Sequence, residues 1–176
     1  EFLVKVKEAI GPNVRIKVDD RDQYSPGWKY NEYEMRGVPI RIEVGPKDVA
    51  SSAVMTVRRD TRAKASLSFV GLPETIATLL TTIQGDMLHA ARERREANSI
   101  REPISYDRFR ELMEGEGAFV YAGWNGDPAI EAKVKEETKA TIRCIPESEF
   151  LTQGAATTCM VTGEPAKHTV IWARSY

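Results

Sequence analysis

The residues best suited to chemistry fall between positions 20 and 48, where aromatics, fixed turns and both signs of charge share one stretch. Trp28 and Tyr30 stand among Lys29, Arg36 and Arg41. Aromatic rings beside cationic side chains can stack on unpaired nucleobases, at about 1–3 kcal/mol per base. Aromatics at helical spacing usually face inward, so core packing is the leading alternative for both Trp28 and Tyr30. Glu34, Arg41 and Lys47 add one acceptor group and two donor groups. A carboxylate accepts from N–H donors, and Arg or Lys donates to oxygen and ring-nitrogen acceptors. The competing reading is a solvated ion pair between Glu34 and Arg41, of the kind that contributes little. Lys29, Arg36 and Arg59 are weaker candidates for phosphate contacts, with a plain surface charge as their alternative.

Other chemistry finds little support. There is no Ser/His/Asp set, phosphate loop or paired-carboxylate motif. His89 sits among Met87, Leu88 and Ala90 in a helical run and reads as structural. The glycines of Gly115-Glu116-Gly117 and Gly123 suit turns at strand ends. Two cysteines, Cys144 and Cys159, make no disulfide framework and read as small buried hydrophobes, in keeping with a reducing cytoplasm.

Elements must position these side chains. Phe2 to Ile10 reads as a helix stopped by Gly11-Pro12. Val14 to Val18 alternates apolar and polar residues, which predicts a strand. Pro26-Gly27 turns into a short helix from Trp28 to Arg36, Gly37 ends it, and Pro39 forces its neighbour to be extended. Ile40 to Val44 and Val54 to Arg59 are strands around a Gly45-Pro46 turn, and Ala65 to Phe69 is a further extended piece. Pro73 begins a long helix that runs to about Asn98. Glu102-Pro103 is the expected domain boundary, giving segments 1–101 and 102–176. Beyond it come a helix (Tyr106 to Met113), a strand (Ala118 to Ala122), a helix (Ala129 to Glu137), and strands at Thr141 to Ile145 and Thr169 to Ala173, with a polar loop from Glu147 to Thr158. This alternation predicts an α/β layer fold with a mixed sheet.

Length and composition agree. A chain of 176 residues, 41% hydrophobic and 29% charged, holds one full domain or two small ones. A net charge of −1 argues against coating nucleic acid through global charge, but not against a local basic face. No apolar run approaches the roughly 20 residues that span a bilayer, and Glu1 to Glu8 does not read as a signal peptide. No membrane partner is expected.

The stretch from Asp20 to Asp48 closely resembles the anticodon-binding domain of class II prolyl-tRNA synthetases of the archaeal and eukaryotic type, down to its closing Gly45-Pro46-Lys47-Asp48 turn. Arg58-Arg59-Asp60-Thr61 resembles the family's next strand and turn. Glu131 to Thr138, Ala140 to Pro146 and the ending Ala173-Arg174-Ser175-Tyr176 resemble its C-terminal domain. Val70 to Pro103 is unspecific. The resemblance implies a class II anticodon-binding fold, a mixed sheet flanked by helices, here lacking its first central strand. A small α/β C-terminal domain follows.

What the resemblance implies about function is equally specific. Tyr30 falls where related enzymes stack an aromatic on an anticodon base. Glu34, Arg41 and Lys47 align with residues that read guanines, two of which every proline anticodon carries. The carboxylate suits a guanine's N1–H and N2–H, and Arg or Lys suits its O6 and N7. The Tyr176 carboxylate would reach toward a catalytic domain. Related C-terminal domains often hold zinc on cysteines spaced C-x4-C and C-x2-C, but the matching positions here are Asn125, Ile130, Cys159 and Thr162. One soft ligand does not close a zinc site, even with His168 nearby, so zinc is expected to be absent. The implied partner is tRNA(Pro). Proline, ATP and magnesium would belong to a separate catalytic domain of an intact enzyme, expected to be a homodimer, and this segment would be non-catalytic without a cofactor of its own. A stand-alone RNA-binding module and a protein-interaction domain are the competing classes.

Overall fold

The computed structural model describes residues 1–11 and 14–175. The chain forms two compact units, Glu1–Ala90 and Ala91–Tyr176. Both are α/β, as the sequence predicts.

In the first unit, α1 (Phe2–Ile10) buries Val6 and Ile10. The helix α2 (Pro26–Met35) starts where the Ser25 hydroxyl accepts a hydrogen bond from the Trp28 N–H, with Pro26 in its first turn. It stops at Gly37, whose φ of +80° lets its N–H reach the Glu34 carbonyl while that of Val38 reaches Tyr33. The next strand, β1 (Ile40–Glu43), pairs antiparallel with β2 (Ala53–Arg58), and β2 pairs antiparallel with β3 (Lys64–Ser68). The Gly45-Pro46 turn is one turn of helix, α3 (Pro46–Ala50), capped by a 2.8 Å bond from the Gly45 N–H to the Asp48 carboxylate. Val6, Ile10, Val54, Leu72 and Ile76 form the core, the last two from α4 (Leu72–Ala97), which crosses the division between the units.

One expected strand does not form. Residues 14–18 are irregular, although Val14 and Ile16 do pack against the core. An alternating sequence becomes a strand only where a neighbouring backbone takes its hydrogen bonds. Among the described residues no strand lies alongside this segment, and a groove of about 700 Å³ is lined by Val14, Ile16 and Val18 together with Ile40 and Ile42 of β1.

The second unit carries a mixed four-stranded sheet of order β4-β5-β7-β6. The strands are β4 (Ser99–Ile100), β5 (Phe119–Trp124), β6 (Ala140–Cys144) and β7 (His168–Arg174), with only the β4–β5 pair parallel. The two-residue β4 gives no periodic signal in the sequence. Two helices complete the unit, α5 (Tyr106–Glu114) and α6 (Pro128–Thr138), the second opened by the Asp127 side chain capping the Ala129 N–H at 2.8 Å. Phe109, Met113, Val120, Val134 and Trp172 form its core, where Phe109 meets Trp172 edge-on. The loop between β6 and β7 includes a single 3₁₀ turn at Ser148–Phe150.

Candidate anticodon-reading site

The helix α2 carries Tyr30 and Glu34, one turn apart and hence on one face. Arg41 rises from β1 beside them. Its guanidinium carbon lies 3.9 Å from the centre of the Tyr30 ring, so the cation rests on the aromatic face. Arg41 Nη1 donates to Glu34 Oε1 at 2.8 Å, and Arg41 Nε donates to Glu43 Oε1 at 2.8 Å. The second oxygen of Glu34 is paired with Arg62 Nη1 at 2.7 Å. Three of the four residues singled out in the sequence are thus in direct contact, and the ion pair between Glu34 and Arg41 is present.

The network is graded in exposure. The side chains of Arg41 and Glu34 are 19% and 17% exposed, whereas that of Arg62 is 71% exposed. Arg41 is therefore largely shielded from solvent and Arg62 is not. Arg62 sits in the β2–β3 hairpin with φ +62°, an uncommon conformation for a side-chain-bearing residue. Lys47 lies in the first turn of α3, exposed, with no ion pair among the described residues. It does not join the cluster around Arg41.

The three candidates for phosphate contacts are in different states. Lys29 Nζ is 3.7 Å from the Asp19 carboxylate. Arg36 is paired with Glu32 one turn away and faces the Tyr33 ring. Arg59 is half-buried, and its Nε has no hydrogen-bond partner among the described residues. Tyr176, whose carboxylate the family resemblance directs toward a catalytic domain, lies outside the described residues.

Trp28 differs from expectation. It is 46% exposed and stacks on Tyr24, ring centres 3.9 Å apart. Arg21 flanks this pair at 4.8 Å from one ring and 5.5 Å from the other, held by Asp19 and Glu32. The paired guanidinium of Arg21 holds the Asp19 carboxyl well below the usual carboxylate range. Trp28 and Tyr30, two positions apart, occupy different faces of α2, so a single core cannot take both.

Two members of the site went unread in the sequence. Glu43 had a signal: residues two apart in a strand share a face, so Glu43 must flank Arg41. Arg62 had none, because it is brought to Glu34 by the β2–β3 hairpin, a long-range pairing.

In the second unit, the positions Asn125, Ile130, Cys159 and Thr162 do not make a zinc donor set. Ile130 has no ligand atom. Asn125 Nδ2 and Thr162 Oγ1 both donate to the Glu164 carboxylate, at 2.9 and 3.1 Å. Cys159 is buried; burial alone would raise its thiol, but hydrogen bonds from Thr162 and the backbone of Val161 and Asn125 outweigh it and lower it. Among the described residues no group of three or more His, Cys, Asp or Glu side chains is placed to hold a metal. No helix among them is long and apolar enough to cross a membrane.

Comparison with known proteins matches each unit separately. Residues 2–79 match the anticodon binding domain family, and residues 106–176 match the family described as prolyl-tRNA synthetase, C-terminal. A proline–tRNA ligase of Chloroflexus aurantiacus is 48% identical over 166 residues, covering 93% of this chain and 33% of that protein. One from Lachnospira eligens is 43% identical over 163 residues, again 93% of this chain and 33% of the relative. A crystal structure of prolyl-tRNA synthetase from Cryptosporidium parvum, complexed with halofuginone and AMPPNP, superposes with a TM-score of 0.82 at 32% identity, over 99% of this chain and 36% of that one. The chain spans about a third of the length of these relatives.

Proposed function

Because the chain belongs to the prolyl-tRNA synthetases, of which it carries the anticodon-binding and C-terminal domains, we propose that it reads the anticodon of tRNA(Pro). The observation that carries this reading is the convergence of an aromatic face, a carboxylate and a held guanidinium at Tyr30, Glu34 and Arg41. These groups complement guanine. Arg41 retains free N–H donors for O6 and N7, and a carboxylate such as Glu34 has lone pairs beyond those its two arginines take. Lys47 on α3, which has no ion pair among the described residues, would supply a further donor to a base or a phosphate. Tyr30 supports Arg41 with one face, so its contribution runs first through Arg41 and then through stacking.

In this reading the whole protein is a cytoplasmic, homodimeric ligase that attaches proline to tRNA(Pro) with ATP and magnesium. The two domains described here bind and position the tRNA, take no part in the chemistry and hold no zinc.

Binding of the full-length protein to a proline tRNA transcript, compared with transcripts whose anticodon guanines are replaced, tests the reading. Arg41→Ala and Glu34→Ala each narrow the gap by about 1–3 kcal/mol at one position, whereas Lys29→Ala weakens all transcripts alike and flattens the salt dependence. If both charge variants stay folded by circular dichroism and keep wild-type discrimination, the cluster is only a surface ion-pair network.

A further inference from the structure

Arg41 has five N–H donors, and two of its three nitrogens are spoken for. Glu43 takes Nε–H, and Glu34 takes one hydrogen of Nη1. The guanidinium carbon sits 3.9 Å from the centre of the Tyr30 ring. Its two carboxylates are thus bound at different nitrogens of one rigid, flat fork, and Nη2 makes no hydrogen bond among the described residues. Rotation about the terminal bonds would break both pairs and lift the cation off the ring. The only donors left to face a ligand are those of Nη2 and the second hydrogen of Nη1.

A guanine's O6 and N7 need two donors side by side, in one plane and at one angle. A freely turning arginine offers two such pairs, Nε/Nη2 and Nη1/Nη2, in many directions. An arginine tied at Nε offers one. We propose that Glu43 is a positioning residue for base recognition. By occupying Nε–H it turns the Nη1/Nη2 end of Arg41 outward and fixes the direction from which a guanine is read. Glu43 touches no base itself. The inference rests on the anticodon-reading function proposed above and assigns a role within it that neither the aromatic face nor the Glu34 pair can fill, since neither engages Nε.

Glu43 also suits the part structurally. It stands two residues from Arg41 on the four-residue strand β1, whose other edge is paired with β2. The strand backbone sets the distance between the two side chains, so the bond does not depend on a flexible loop. Glu43 forms no salt bridge other than that to Arg41 among the described residues. Its side chain is 23% exposed, enough for an alanine or a glutamine to be accommodated.

The experiment measures binding of the full-length protein to proline tRNA transcripts with each anticodon guanine in turn replaced by adenine, for wild type, Arg41→Ala, Glu43→Ala and Glu43→Gln. Glu43→Gln keeps a neutral acceptor for Nε–H. The expected result is a loss of at least fivefold in discrimination for Glu43→Ala at the same guanine that Arg41→Ala affects, with Glu43→Gln close to wild type. If Arg41→Ala loses discrimination and Glu43→Ala does not, Arg41 reads the base unaided and the positioning role is overturned. Equal losses in Glu43→Ala and Glu43→Gln would make the charge, not the orientation, responsible, which also overturns it. If Arg41→Ala itself keeps full discrimination, the anticodon-reading function fails, and the inference fails with it. Should Glu43→Ala lose its native circular dichroism, Glu43→Val, whose β-branched side chain suits a strand, replaces it.

Discussion

Alanine at Gly123 places the sharpest demand on the second unit. Gly123 lies in β5 and bridges to Cys159 of the β6–β7 loop. A Cβ there would run into the Thr158 carbonyl oxygen, and would stand 2.8 Å from the Thr158 carbonyl carbon and 2.9 Å from the Ala166 Cβ. The obstacles are mainly backbone, so no side-chain rotation relieves them. The loop must move away, and it is tied to β5 by the Met160 N–H on the Gly123 carbonyl at 3.0 Å and the Lys167 N–H on the Trp124 carbonyl at 2.8 Å. Overpacking of this kind costs about 1–3 kcal/mol. Concentrated in one loop, that energy lowers its opening free energy and speeds amide exchange by about 5- to 150-fold. Hydrogen–deuterium exchange of peptides covering 156–167 reads this directly. Labelling of Cys159, which is 2% exposed, should rise in parallel, while Cys144, exposed at the end of β6 and not buried as its sequence context suggests, labels in both proteins. Gly115→Ala is the control, because its Cβ would meet ordinary contacts at 3.6 Å and beyond. If Gly123→Ala exchanges no faster than Gly115→Ala, the loop is not held against β5 as described.

Elemental analysis should find far less than one zinc per chain, with chelators leaving the melting temperature unchanged, since only Cys159 offers a thiol among the four positions; near-stoichiometric zinc would overturn this. Acid should destabilise the first unit through Asp19, whose carboxyl is held low chiefly by its hydrogen bond to Arg21. A depressed folded-state value contributes stability that is present above the ordinary carboxylate range, near about pH 4, and lost as pH falls below it. Asp19→Asn should therefore flatten the fall in melting temperature between about pH 4 and pH 2, and an unchanged slope would contradict the Asp19–Arg21 pairing.

Local signals carried far in this sequence. Pro26-Gly27, Gly37 and Pro39 each act through their own backbone or their nearest neighbours, so the bounds of α2 and the start of β1 follow from residue type, whereas Gly45-Pro46 reads only as a turn and the single helical turn of α3 carries no signal of its own. Val14 to Val18 shows the limit. Its alternation is real and Val14 and Ile16 pack against the core, but a strand is a property of two backbones, and periodicity in one cannot supply the other. The site divides in the same way. Tyr30, Glu34, Arg41 and Lys47 were chosen by residue type together with family resemblance. That Arg41 lies on Tyr30, rather than leaving both ring faces to bases, depends on how β1 packs against α2. Glu43 was available from strand periodicity once Arg41 was fixed, whereas Arg62 depends on a hairpin whose pairing no short-range pattern encodes.

The most direct test of the central claim is crosslinking. Proline tRNA carrying 6-thioguanosine at the second or third anticodon position is bound to the full-length protein, irradiated, digested and mapped by mass spectrometry. The account predicts crosslinks to peptides between Pro26 and Asp48, including residues beside Tyr30, Glu34 and Arg41, that disappear with excess unlabelled proline tRNA. Crosslinks confined to the Ala91–Tyr176 unit, or none to the first unit at saturating tRNA, would contradict it.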